Sequence, residues 1–371
     1  MAIWKIDELG EFVTLKRGYD LPQQKRKNGE IPIFSSSGVT GTHNEAMVEA
    51  PGVITGRYGT IGEVFFAETS FWPLNTTLYV ENFHENDEKF VYYFLKTLEW
   101  KKFASASAVP GINRNTVHKE IVRFPDFETQ QKIASVLSTI DKKIAVNKAI
   151  NDNLEQQAAT YFQELFINNA NPMWQISTIS DLGTVVGGST PSKTKPEYYT
   201  NNGIAWITPK DLSINKSKFI SHGENDITEL GLKNSSATVM PKGTVLFSSR
   251  APIGYIAIAS NEVTTNQGFK SVIPYSEIGT AFVYFFLKHS LPVIESAASG
   301  STFKEISGSA MKNIPAIIPD RNTVDQFNSF CAPIFAQQKI LEEQNHSLAM
   351  LRDSLLPKLM SGAIDIASIQ L

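Results

Sequence analysis

Apolar residues recur at alternating steps of four and three along two stretches of this chain, and the second stretch repeats the first at a constant offset of 194 residues. Ile133, Leu137, Ile140, Ile144, Asn147, Asn151, Leu154, Ala158, Tyr161 and Leu165 correspond in turn to Phe327, Cys331, Ile334, Gln338, Leu341, Asn345, Leu348, Arg352, Leu355 and Leu359. That spacing is the seam of a two-stranded coiled coil. Gln130 to Leu165 contains neither Gly nor Pro, which predicts a helix about 54 Å long. The second helix is expected to open with a capping box at Thr323-Val-Asp-Gln326, to be disturbed by Pro333, bent by Pro357 and stopped at Gly362. Two seams in one chain pack most simply on each other. The first leads from one globular part to the next and the second leaves it, so the pair runs antiparallel. Asn151 and Asn345 share a heptad position where buried asparagines pin register. The alternative is that each seam packs separately against its own domain.

The repeat continues outside the helices. Trp4-Lys-Ile-Asp-Glu-Leu-Gly10 resembles Trp174-Gln-Ile-Ser-Thr-Ile-Ser-Asp-Leu-Gly183, and Phe90-Val-Tyr-Tyr-Phe-Leu-Lys96 returns as Phe282-Val-Tyr-Phe-Phe-Leu-Lys288. The offset grows from 170 at the tryptophans to 194 at the seams, so the second globular part carries 24 extra residues. Short β-branched and apolar runs, such as Ile31 to Phe34 and Val245 to Phe247, alternate with Gly, Pro, Asn and Ser; these read as strands and turns. The expected class is α+β: two pseudo-repeated globular domains separated by two long antiparallel coiled-coil helices. The expected segments are residues 1–127, 128–168, 169–321 and 322–371.

Composition narrows the function. No run reaches the roughly 18 apolar residues of a membrane helix, the first ten residues lack a secretory pattern, and the single cysteine, Cys331, falls on a seam. A cytoplasmic protein is expected, without membrane contact. The net charge of −3 argues against a protein that coats nucleic acid unaided. Catalytic inventories fail. Asn171-Pro-Met-Trp174 lacks the second proline of an adenine methyltransferase loop, and Ser192 stands where a phosphate loop needs its second glycine. Glu99-Trp-Lys101 has nuclease-like spacing but no partner carboxylate, and the six histidines show no zinc spacing.

Several motifs, in order along the chain, resemble one family. Gly188-Ser-Thr-Pro-Ser-Lys193 with Ile204-Ala-Trp-Ile-Thr-Pro-Lys-Asp-Leu212 is similar to the opening of a target-recognition domain of type I restriction-modification specificity subunits. Pro241 to Gly254 with Thr265-Asn-Gln-Gly268 resembles that domain's next signature. Ile54-Thr-Gly-Arg-Tyr-Gly-Thr-Ile-Gly62 and Phe71-Trp-Pro-Leu-Asn-Thr-Thr77 are similar to an alternative version of it. Gln130 to Ile144 resembles the family's central conserved region, and Ser354 to Gly362 its C-terminal counterpart. The resemblance implies a non-catalytic subunit that brings two modification subunits, and in the full complex restriction subunits, to a bipartite asymmetric site in double-stranded DNA. S-adenosylmethionine, ATP and magnesium would belong to those partners, leaving this chain with no cofactor. The reading from another class is a non-catalytic bivalent scaffold holding two proteins.

Candidate DNA contacts are Lys16, Arg17, Lys25, Arg26 and Lys27, five positive charges within twelve residues. The matching stretch of the second half carries Ser192, Lys193, Lys195, Lys210, Lys216 and Lys218. Such groups neutralise phosphates and set register, while a few side chains read bases. Ser35, Ser36, Ser37, Arg57, Tyr58, Arg114, Ser249 and Arg250 lie near turns and suit either role. The plainer readings are a solvated face for the lysines and a bracing role for Arg57 and Arg250. Base-reading residues are expected mainly where the halves diverge, at residues 19–45 and 190–235. The helices would act as a ruler, so that seven residues inserted between Lys142 and Asn153 lengthen the unspecified spacer. Their exposed faces would dock the modification subunits.

Overall fold

The computed structural model describes residues 3–105, 110–300 and 304–366, so the opening two residues and the tail after 366 lie outside the described residues. The long helices run Phe127–Gln163 and Arg321–Ser361. The chain forms two compact units, Met1–Ala145 with His346–Leu371, and Val146–Asn345, so the division falls inside both helices.

In the first unit, Trp4–Glu8 pairs antiparallel with Ile121–Pro125, the strand that leads into the first long helix. An antiparallel sheet has the order Thr14–Arg17, Thr77–Asn82, Gly52–Gly56, Val64–Ala67, and a second sheet joins Gly38–His43, Ile31–Ser35 and Trp72–Pro73. The helix Glu88–Thr97, capped by Asp87, buries Phe90, Val91, Tyr93, Phe94 and Leu95. These pack with Phe12, Val53 and Leu78, and the core is completed by Ile133, Ala134 and Leu137 of one long helix and Leu359 and Met360 of the other.

The second unit repeats this plan and elaborates it. Gln175–Thr178 pairs antiparallel with Pro315–Ile318, which precedes the second long helix. A five-stranded sheet has the order Gly183–Gly187, Lys270–Pro274, Val245–Ser249, Ile253–Ala259, Phe219–Ile220. A four-stranded sheet joins Tyr199–Thr200, Asn225–Ile227, Ile204–Ile207 and Thr264–Thr265. The helix Thr280–His289 buries a side chain at every position from Ala281 to Leu287. Its core includes Ala158, Phe162 and Phe166 from the first long helix and the turn that follows it, with Val324, Phe327, Cys331 and Ile334 from the second.

Every seam position is buried or half-buried. Facing residues fall in number on one helix as they rise on the other, which is antiparallel packing. In the first unit Arg352 Nη1 donates to Asp141 Oδ1 at 2.8 Å. In the second, Asn147 faces Asn345, Asn151 faces Gln338, and Tyr161 faces Gln326. The expectation for Asn151 and Asn345 is corrected here. Residues that share a heptad position do not face each other in an antiparallel pair. Asn345 instead accepts from fully buried Asn147 at 3.0 Å, while the Asn151 carbonyl accepts from Gln338 at 3.1 Å.

The helix ends also differ from expectation. Asp320, not Thr323, caps the second helix: its carboxylate accepts from the Thr323 N–H at 3.1 Å and the Thr323 hydroxyl at 2.9 Å. Asp126 caps the first in the same way through Thr129 at 3.0 Å. Each cap also holds the start of its own globular part, Asp126 through the Ile3 N–H and Asp320 through the Trp174 indole. Pro333 and Pro357 lie inside the second helix without interrupting it. Each removes one internal hydrogen bond, and buried neighbours, Ile334 beside one and Leu359 and Met360 near the other, keep the turns packed. Gly362 at φ +72° ends the helix, its N–H donating to Leu359 and that of Ala363 to Lys358, a Schellman closure. The first helix ends in a π-helical turn, Glu164–Asn168.

Two predictions follow from this packing. Phe327 is fully buried against the rings of Tyr161, Phe162, Phe166 and Phe285, so F327A destabilises the second unit by about 3–5 kcal/mol in denaturant unfolding. Hydrogen bonds from Ile3 and Thr129 hold the Asp126 carboxyl below its usual range, and those from Thr323 and Trp174 do the same for Asp320. A carboxyl with a depressed folded pKa contributes fully above the ordinary aspartate value and loses that contribution as pH falls through the depressed one. D126N/D320N therefore melts below the wild type at pH 7, and the gap closes on acidification; a gap independent of pH contradicts the capping account.

Candidate nucleic-acid interface

In the first unit, the pairings Arg17 with Leu78, Gly56 with Thr77 and Thr55 with Val64 bring Arg17 and the Arg57–Gly62 loop to one end of the sheet. The turn of the neighbouring hairpin joins that end. Leu74 donates to the Phe34 carbonyl, and a Cβ on Gly59 would lie 3.3 Å from the Ser36 hydroxyl. Ser35 bonds Ser37 across the turn at 3.0 Å, and Ser37 is exposed. Tyr58 pairs with Gly111, whose missing side chain makes room for the Tyr58 ring. Arg57 lies 4.5 Å from the centroid of that ring and donates to the Ile112 carbonyl at 3.2 Å. Arg114 is exposed at the start of the short helix Arg114–His118. This end of the sheet thus gathers Arg17, Ser35, Ser36, Ser37, Arg57 and Tyr58.

The basic run of residues 16–27 does not form one patch. Lys16 pairs with Glu81 at 2.5 Å, and that hydrogen bond raises its pKa. Lys25, Arg26 and Lys27 lie along the other end of the hairpin, where Arg26 donates to the Thr40 carbonyl at 3.3 Å and the Lys27 N–H to His43 at 3.1 Å. The side chains of Arg17, Lys25 and Lys27 are exposed and form no ion pair among the described residues.

In the second unit, the pairings Gly187 with Lys270 and Ser249 with Ile253 define the matching end. Here the sequence expectation for Ser249 is corrected: its side chain is wholly buried, and its backbone is held by Gly268 and Ile306. It cannot reach DNA in this conformation. Arg250 follows it, paired with Glu305 at 3.3 Å, and Lys270 lies 3.6 Å from the same carboxylate. Ser192, Lys193 and Lys195 are exposed on the loop after Gly188; Ser192 bonds Thr194 at 2.9 Å, and Lys195 lies 3.8 Å from Glu197. Lys210 pairs with Glu224 at 2.6 Å, which raises its pKa. Lys216 lies 4.5 Å from the Tyr255 ring centroid. Lys218 is not a DNA contact: it is 7% exposed and turned inward.

Arg57 and Arg250 are thus both engaged within the fold, by a carbonyl in one unit and a carboxylate in the other. Sequence reasoning missed Gln267, exposed at this end and bonded through its carboxamide to the Thr190 hydroxyl. It also missed the carboxylates Glu81, Glu224 and Glu305 that neutralise basic candidates. Glu224 and Lys210 are 14 residues apart, but Glu81 lies 65 residues from Lys16, so no local pattern marks that pair. No group of three or more metal-ligating side chains occurs among the described residues, and no helix there is long and apolar enough to cross a membrane.

The chain matches the family model described as type I restriction modification DNA specificity domain twice, over residues 1–156 and 171–345. It is 43% identical over 162 residues to the type I restriction enzyme MjaIX specificity subunit of Methanocaldococcus jannaschii, a match covering 43% of this chain and 37% of that protein. It is 24% identical over 347 residues to the HindI specificity subunit of Haemophilus influenzae, covering 72% and 75%. The crystal structure of the type I restriction-modification system S subunit from M. genitalium has the same fold, with a TM-score of 0.65 at 17% identity over 96% of both chains. With two matches that together span most of its length, the chain belongs to the type I restriction-modification specificity-subunit family, one specificity domain in each half.

Proposed function

We propose that this chain directs a type I restriction-modification complex to a bipartite asymmetric site in double-stranded DNA, each recognition domain reading one half-site. The observation that carries the reading is the double family match laid over an internal repeat whose helices repeat and whose loops differ. In this reading the helical pair sets the unspecified spacer, and its exposed faces, with adjoining parts of the domains, dock two modification subunits. Restriction subunits join where the system has them. The chain works in the cytoplasm and supplies no catalytic group; S-adenosylmethionine, ATP and magnesium are held by its partners. Those partners also supply basic surface, which reconciles DNA binding with a net charge of −3.

Exposure and ion pairing support a ranking of the cations for this task. Arg17, Lys25, Lys27 and Lys193 are exposed and free of ion pairs among the described residues, whereas Lys16 and Lys210 already face carboxylates. Neutralising Arg17 or Lys193 weakens binding by the assembled complex across all sequences and lowers the salt slope by about 1; K16A and K210A change it less, as do K25A and K27A at the other end of the hairpin. Binding indifferent to both salt and sequence would favour the bivalent protein scaffold instead. The ruler is tested by matched seven-residue insertions, one between Lys142 and Asn153 and one between Lys339 and Met350. Each adds about 10.5 Å, so the spacer grows by about three base pairs with both half-sites unchanged. A changed half-site with an unchanged spacer contradicts the ruler.

A further inference from the structure

The strand Phe219–Ile220 forms the edge of the five-stranded sheet, with one strand neighbour among the described residues, Ile253–Ala259. Ile220 is buried with Ile207, Leu212 and Ala257 of its own domain, while Phe219 and the adjoining Lys218 reach the long helices. The Lys218 and Phe219 N–H groups donate to the two oxygens of Glu342, at 2.7 and 3.1 Å. The Lys218 ammonium pairs with Glu155 of the first long helix and donates to Gln338 of the second at 2.6 Å. It also lies 4.1 Å from the Phe335 ring centroid and 4.8 Å from that of Tyr284. Lys288 and the Tyr284 hydroxyl approach Glu155 from the remaining sides, at 2.5 and 3.2 Å.

Burying an ammonium costs several kcal/mol unless it is paired and hydrogen-bonded, and an apolar side chain of the same size is often at least as stabilising. Burial lowers the Lys218 pKa in spite of Glu155, and raises that of Glu342. The group is therefore poorly explained as a source of stability. The helical repeat does not require it either: one repeat on, the positions of Glu155, Gln338 and Glu342 correspond to Ala349, Ile144 and Lys148. The first unit uses a different tie, with Tyr93 and Arg352 both donating to Asp141, at 2.5 and 2.8 Å.

We propose that Lys218 is a positioning residue that ties the edge strand of the second recognition domain to both long helices. It thereby fixes the placement of that domain's DNA-reading loops without touching DNA. The proposal rests on the specificity-subunit reading and deepens it.

The test compares wild type, K218M and K218M/E155Q, each alone and assembled with the cognate modification subunits. K218M leaves half-buried Glu155 with Lys288 but without Lys218 and melts lower; the double variant removes that carboxylate charge and recovers most of the wild-type melting temperature. In both variants the amides of residues 216–220 exchange faster. Methylation of the adenine in the second domain's half-site falls about tenfold relative to the adenine in the other half-site, as expected for lost orientation. General destabilisation lowers both adenines together. Wild-type exchange and a wild-type methylation ratio in the double variant overturn the proposal, since Lys218 then only balances Glu155. If the wild-type complex methylates no bipartite site, the specificity reading fails, and the exchange measurement still decides whether the tie exists.

Discussion

Burial of the two heptad seams is the constraint on which the rest of the structure depends. The long helices are not only connectors, because their side chains complete the domain cores. Ile133, Leu137, Leu359 and Met360 close one core; Ala158, Phe162, Val324 and Phe327 close the other. A helix of this length with polar residues between its seam positions has little reason to persist alone in water; packing of its apolar stripe supplies most of its stability. Helix and domain therefore form one packed body within each unit. Fully buried Asn147 fits this view: its amide nitrogen donates to Asn345 and Gln344 in this antiparallel register, and a slip would leave that nitrogen unpaired.

The repeat is deepest where backbone geometry is fixed. Asp126 and Asp320 cap the two helices through the same backbone bond and also hold the start of each globular part, one through a backbone N–H and the other through an indole. Ile112 and Ile306 donate their N–H groups at the ends of the two central strands, one to the Arg57 carbonyl and the other to that of Ser249, beside Arg250. What does not repeat is the polar chemistry laid over that frame. Arg57 meets a carbonyl and Arg250 a carboxylate; one domain is tied to the helices through Asp141, the other through Glu155 and Glu342. Two domains of one fold are thus tied to the helices by different side chains and carry different loops.

Much of this was legible in the sequence, for a physical reason. A seam sustained over ten matched positions has few explanations besides a helical pair, and connectivity then dictates its direction. Local signals were less dependable. Thr323-Val-Asp-Gln326 has the form of a capping box, but Asp320 captures the Thr323 N–H first, a competition that composition does not reveal. Ser249 sits in a polar-looking turn sequence and is buried because the central strand extends through it. Lys218 reads as one more surface lysine, and its partners lie far along the chain, two of them, Gln338 and Glu342, more than a hundred residues away. The candidate interface was legible as a set of loops, not as a set of free charges, because counter-ions are a property of the folded surface.

The central claim, that two repeated domains on one helical frame read two separate DNA sequences, is tested most directly by mapping every methylated adenine in DNA modified by this chain together with its cognate modification subunits. The account predicts a single asymmetric motif of two unlike half-sites with a fixed unspecified spacer between them. A single uninterrupted motif, or methylation without sequence preference, would contradict it.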